Sequence, residues 1–122
     1  MSKTPHDNPD QLAKVQLILL PGELILAVYD GKGGSTGMVA LTDRRVVVQD
    51  NSFVGGKSGI TSLPYARIQS VSFILDRATA ARAASSSVVS IQVPGQAYEI
   101  QFRGDEQARH THDVVLTHIV HV

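Results

Sequence analysis

Residues 37–50, GMVALTDRRVVVQD, hold two runs of alternating or β-branched apolar residues on either side of Thr42-Asp43-Arg44-Arg45. Few folds accommodate such a stretch except as a hairpin. A tight turn at its centre pairs Leu41 with Val46 and Val39 with Val48, because successive strand residues point to opposite faces. Those four share one apolar face. Met38, Ala40, Thr42, Arg45, Val47 and Gln49 share the other, which is mixed, so the pattern predicts a half-buried antiparallel sheet. Asp43 suits the turn, since its carboxylate can accept a hydrogen bond from a nearby backbone N–H.

The rest of the chain supplies partners for this hairpin. After residues 1–7, expected to fray, Asp7 or Asn8 can cap a helix with Pro9 at its first position, where the missing N–H is not needed. Leu12, Val15 and Leu19 then recur at helical spacing, predicting a helix over 9–19 that stops at Pro21-Gly22. Strands are expected over 23–30, 60–65 and 68–76, Pro64 marking a strand margin or sheet edge. In the first of these Leu24, Leu26 and Val28 face one way and Ile25, Ala27 and Tyr29 the other. Phe53-Val54 reads as a loop anchored on the core, and the Ala- and Ser-rich stretch 77–87 as a loop with little to bury. A second hairpin turns at Pro94-Gly95. It sets Val89, Ile91 and Val93 on the face of Tyr98, Ile100 and Phe102, while Asp105 and Glu106 open a closing helix with Ala108, His112, Val115, Ile119 and Val122 as its apolar stripe.

Seven strands followed by one helix within 122 residues predict a mainly β domain, an antiparallel barrel or sandwich capped by the C-terminal helix. Residues 1–19 form a tail and short helix, and 20–122 form the domain.

Composition narrows the function. Eleven basic residues balance eleven acidic ones, which gives no pull toward nucleic acid. There is no cysteine, so thiol chemistry is absent and a cytoplasmic protein is expected. The loop 31–37 contains Lys32 among glycines, but a phosphate-binding loop needs its lysine after the glycines and a helix beyond, and here a strand follows. His118 and His121 share a helix face near Asp113 without a third convergent ligand, and no serine sits in a nucleophile motif. No metal, other cofactor or catalytic residue is expected.

Leu20-Pro-Gly-Glu23, the segment 37–48 with its Thr42-Asp43-Arg44-Arg45 turn, and Leu63-Pro-Tyr-Ala-Arg-Ile-Gln-Ser-Val71 together resemble bacterial pleckstrin-homology-like domains, and more distantly GRAM domains. Asp43 stands where those families commonly carry Asn. The resemblance spans about residues 20–120 and implies the seven-stranded fold with its C-terminal helix. For function it implies a non-enzymatic binding or scaffolding module that meets a protein partner or copies of itself. In that reading Leu12, Val15, Ile18 and Leu19 of the leading helix contribute to self-association. An alternative is recognition of a lipid headgroup or small anionic ligand through the loops, with Lys32, Arg44, Arg45, Lys57, Arg67, Arg77 and Arg82 as the candidate cations. Lipid-binding members carry several Lys and Arg on the first two strands and their loop, whereas this chain offers only Lys32, Arg44 and Arg45 there, so membrane association is the less favoured outcome.

Sedimentation with phosphoinositide-containing vesicles at physiological salt is therefore expected to leave the protein in the supernatant. Clear co-pelleting that fades as salt rises would overturn this.

Overall fold

The computed structural model describes residues 4–32, 36–53, 55–75 and 87–120. Helix α1 (Pro9–Leu17) starts as its sequence dictates: Asn8 is extended, with φ −133° and ψ 116°, and its side chain accepts a hydrogen bond from the Asp10 N–H at 2.9 Å. The helix ends two residues before the expected limit, where Ile18 caps it through a bond to the Val15 carbonyl. Seven strands follow: β1 (Ile25–Asp30), β2 (Thr36–Thr42), β3 (Arg45–Phe53), β4 (Lys57–Pro64), β5 (Ser70–Leu75), β6 (Ser87–Val93) and β7 (Gln96–Phe102), then helix α2 (Asp105–Val120). They form two antiparallel sheets, ordered β1-β2-β3-β4 and β5-β6-β7, joined by a 3-10 turn over Tyr65–Arg67.

The central hairpin has the predicted register, Leu41 opposite Val46 and Val39 opposite Val48. So does the second, with Val89 opposite Ile100 and Ile91 opposite Tyr98. These inner faces meet in one core with Ala27, Tyr29, Leu63 and Phe102, and α2 closes it with Ala108 and Val115. Gly95 turns the second hairpin at φ +79°, a left-handed conformation that glycine adopts without steric cost.

Several expectations change. The outer face of the central hairpin is mixed as expected but more deeply covered, with Met38, Ala40, Thr42 and Val47 buried and Arg45 and Gln49 half-buried, because α1 lies across it. Val15, with Leu12 and Leu19 beside it, packs on Val28, Met38, Ala40 and Val47 in a second apolar cluster. Strict alternation in β1 fails at its start. A bulge between Ile25 and Ala27 turns Leu26 toward the main core and leaves Ile25 on the outer face with Val28. Residues 5–7, expected to fray, instead run parallel to β1: Val28 donates to the Pro5 carbonyl at 3.0 Å and Asp7 donates to the Val28 carbonyl at 3.2 Å. Lys57 begins β4 rather than sitting in a loop, and Thr111 takes the buried place on α2 expected for His112, whose ring lies against Phe73. The Phe53-Val54 tip, most of the segment 77–87 and Val122 fall outside the described residues or side chains.

Leu41 is fully buried at the centre of the core. Leu41→Ala should lower unfolding free energy by about 2–5 kcal/mol in chemical denaturation, and a loss under about 0.5 kcal/mol would contradict this packing.

Candidate functional site

The two sequence motifs at either end of β1 and β2 meet in space. Leu20-Pro21-Gly22-Glu23 forms a tight turn in which Gly22 has φ +79° and the Glu23 N–H donates to the Leu20 carbonyl at 3.0 Å, as a proline–glycine type II turn requires. That turn delivers Glu23 to the hairpin tip. Only 5% exposed, Glu23 accepts from Arg45 Nε at 2.8 Å and from Arg45 Nη2 at 2.9 Å, a bidentate pair. The Thr42 hydroxyl donates to it at 2.7 Å and the Leu20 N–H at 2.8 Å. The same Thr42 oxygen accepts from the Arg44 and Arg45 N–H groups, both at 3.0 Å, which tightens the turn although neither Asp43 nor Arg44 has a positive φ. Asp43 binds back to Leu24, its carboxylate accepting from the Leu24 N–H at 2.9 Å, and the Tyr65 hydroxyl donates to the Thr42 carbonyl at 2.7 Å.

This geometry removes Arg45 from the ligand-binding candidates. Its remaining donors go to Ser62 Oγ at 2.7 Å and the Ile18 carbonyl at 2.9 Å, so the guanidinium ties α1, β3 and β4 together. The Arg45 hydrogen bonds outweigh burial and hold the Glu23 carboxyl at about 2. Burial, followed by the nearby Asp43 and Glu23 charges, pushes the Tyr65 hydroxyl well above its ordinary value, so it remains a donor.

The other cations do not converge. Lys32 and Lys57 lie at the end of the first sheet where Asp30 meets Met38 and Asp50 meets Gly59. Arg44 and Arg67 lie at the opposite end, where Ile25 meets Thr42 and Arg45 meets Pro64. Arg77, Arg82 and His121 are outside the described residues. Among the described residues no group of three or more His, Cys, Asp or Glu is placed to hold a metal ion.

Two clefts stand out. One, of about 480 Å³, lies between the residue 5–7 segment and α2. There the Tyr29 hydroxyl and His110 Nδ1 are 2.6 Å apart, and burial, then Asp7 and Glu106, raise the Tyr29 pKa. Gln107 donates to Asp7 across it, and Asp7 also accepts from the Asp30 N–H. The other, of about 330 Å³, is an apolar groove between α1 and the outer faces of β3 and β4, lined by Val15, Leu17, Ile18, Met38 and Ile60. Of these Leu17 is 86% exposed and Ile60 53%. Of the four residues expected to mediate self-association, Leu12, Val15 and Leu19 are used on the chain's own sheet and Ile18 remains on this face. Leu17 belongs to the consecutive apolar residues 17–20, which one helix stripe cannot bury, and it lies on this face with Ile60, which the strand pattern alone does not single out.

A model of the family described as bacterial PH domain matches residues 19–116. The chain is similar to the crystal structure of a pleckstrin homology domain from Shewanella amazonensis, with 18% identity, a TM-score of 0.64, and coverage of 93% of this chain and 99% of that one. It is also similar to a protein with a pleckstrin-homology domain from Shewanella loihica, with 19% identity, a TM-score of 0.65, and coverage of 93% and 94%. Comparison with curated proteins gives no match.

A carboxyl whose folded pKa lies near 2, against an ordinary 4.5, stabilises the fold above pH 4.5 and loses that contribution as pH falls toward 2. Relative to Glu23→Gln, the wild-type chain should lose about 2–3 kcal/mol of unfolding free energy across that window in urea titrations. A pH-independent difference would contradict the assignment. Arg45→Met, which strands the buried carboxylate, should cost about 3–5 kcal/mol near neutral pH.

Proposed function

Because the chain belongs to the bacterial PH domain family, we propose that it is a non-enzymatic binding or scaffolding module working by protein–protein contact, with another protein or with copies of itself. One observation carries this reading: an apolar groove whose wall leaves Leu17, Ile18 and Ile60 exposed on a domain whose two cores are otherwise filled. Exposed apolar groups of this size, gathered on one face and bordered by a groove, are characteristic of contact surfaces rather than of solvated ones. The polar clusters do not offer a rival centre of comparable kind, since Glu23, Thr42 and Arg45 are engaged in holding the hairpin. Recognition of an anionic headgroup finds less support, with the described cations divided between opposite ends of the sheet. Among the described residues no helix is long and apolar enough to cross a membrane. A cytoplasmic setting is part of this proposal and rests on the cysteine-free composition.

Light scattering across a concentration series checks the contact surface. The apparent mass should rise with concentration toward the millimolar range, and Leu17→Asp combined with Ile60→Asp should flatten the rise. A mass indifferent to both concentration and the substitutions sinks self-association through this face and leaves only another protein as its partner.

A further inference from the structure

The order β1-β2-β3-β4 leaves one edge of the first sheet without a strand partner among the described residues, the outer edge of β4. The opposite edge is covered, since residues 5–7 run along β1, and no isolated bridge among the described residues covers β4. Natural sheets blunt an open edge with charge, proline or a covering segment. In β4 these devices sit only at the ends, Lys57 first and Pro64 last, and the interior Ser58-Gly59-Ile60-Thr61-Ser62 carries neither charge nor proline. Among the described residues the backbone groups on its outward side take part in no further backbone hydrogen bond, along a stretch long enough for an added strand.

The face beside that edge selects the side chains. Ile60 pairs across the sheet with Gln49 and Ser62 with Val47, which puts both on the outer face that α1 only partly covers. Every second residue of a strand added to β4 would share this face and lie next to Ile60 at the mouth of the groove. The groove wall is aliphatic, so aliphatic side chains fit there. Charge gives the remaining selection. Lys14 lines the groove, Lys57 starts β4, and neither has an ion-pair partner among the described residues. The one carboxylate at this end of the hairpin, Asp50, is buried and already engaged.

We propose that the β4 edge and the α1–β4 groove bind an extended peptide segment by strand addition, with aliphatic residues at alternate positions and acidic residues at the end facing Lys57 and Lys14. This rests on the reading of the same apolar face as a contact surface, and it names the partner's conformation and chemistry. An antiparallel strand would place its C-terminal end at Lys57, because β4 runs from Lys57 to Pro64.

The test uses the full chain at micromolar concentration and a fluorescein-labelled peptide alternating valine and threonine and ending in two aspartates. Fluorescence anisotropy should report binding, and replacing the aspartates by lysines, or N-methylating alternate amides, should each weaken it at least about tenfold. Lys14→Glu with Lys57→Glu should weaken the acidic peptide similarly and favour the lysine one. Hydrogen exchange should slow at β4 amides when the peptide is present. Binding indifferent to N-methylation, or without β4 protection, overturns strand addition. Protection of the outward-facing β4 amides that grows with chain concentration in the absence of peptide makes a second copy the occupant and also overturns it. No binding of any peptide at millimolar concentration, while Ile60→Asp still changes the light-scattering behaviour, overturns this inference and leaves the contact surface standing; no effect in either experiment removes this inference and self-association together.

Discussion

Burying the Glu23 carboxylate beside the Arg45 guanidinium takes two charges out of water, and such a pair stabilises a fold only when every remaining donor and acceptor is matched. Here the matching is nearly complete. Thr42, Ser62 and the backbone of Ile18 and Leu20 take up the other positions. Because these groups come from the segment after α1, from both strands of the central hairpin and from β4, the pair fixes how four elements sit on one another. Apolar packing alone would fill the same space with less discrimination between neighbouring arrangements. The helix docks where it does because its last carbonyl is already spoken for.

That docking explains why the first sheet is buried on both faces. An antiparallel sheet packed on one side usually shows polar residues on the other. In this chain β2 and β3 present Met38, Ala40 and Val47 outward, and α1 covers them with Val15. The helix is short, so its cover stops before β4. The apolar groove is the boundary of that cover, and its exposed residues follow from helix length as much as from their own identity.

Much of the fold was legible in the sequence because strand period and turn chemistry act locally. The registers of the two hairpins follow from Leu41, Val46, Val89 and Ile100 lying at matched distances from their turns. The family motifs were legible too, yet not their relation. Glu23 and Arg45 are far apart in sequence, and nothing local says that a proline–glycine turn will carry one to the other. For that reason Arg45 looked like a free surface cation. The bulge at Ile25 was equally hidden, since an extra strand residue leaves no mark in an alternating apolar run. The candidate groove depends on where α1 stops over the sheet, a tertiary distance that periodicity does not encode.

Asp7 illustrates a different consequence of the same architecture. Its backbone and carboxylate meet Val28 and Asp30, and a final contact comes from Gln107, one hundred residues later in the chain. During synthesis, which proceeds from the N-terminus, the earliest described segment leaves the ribosome long before α2 exists. It can lie along β1 once the first sheet has formed, but its last partner arrives only with the start of the closing helix. The segment that is made first is thus among the last to complete its contacts.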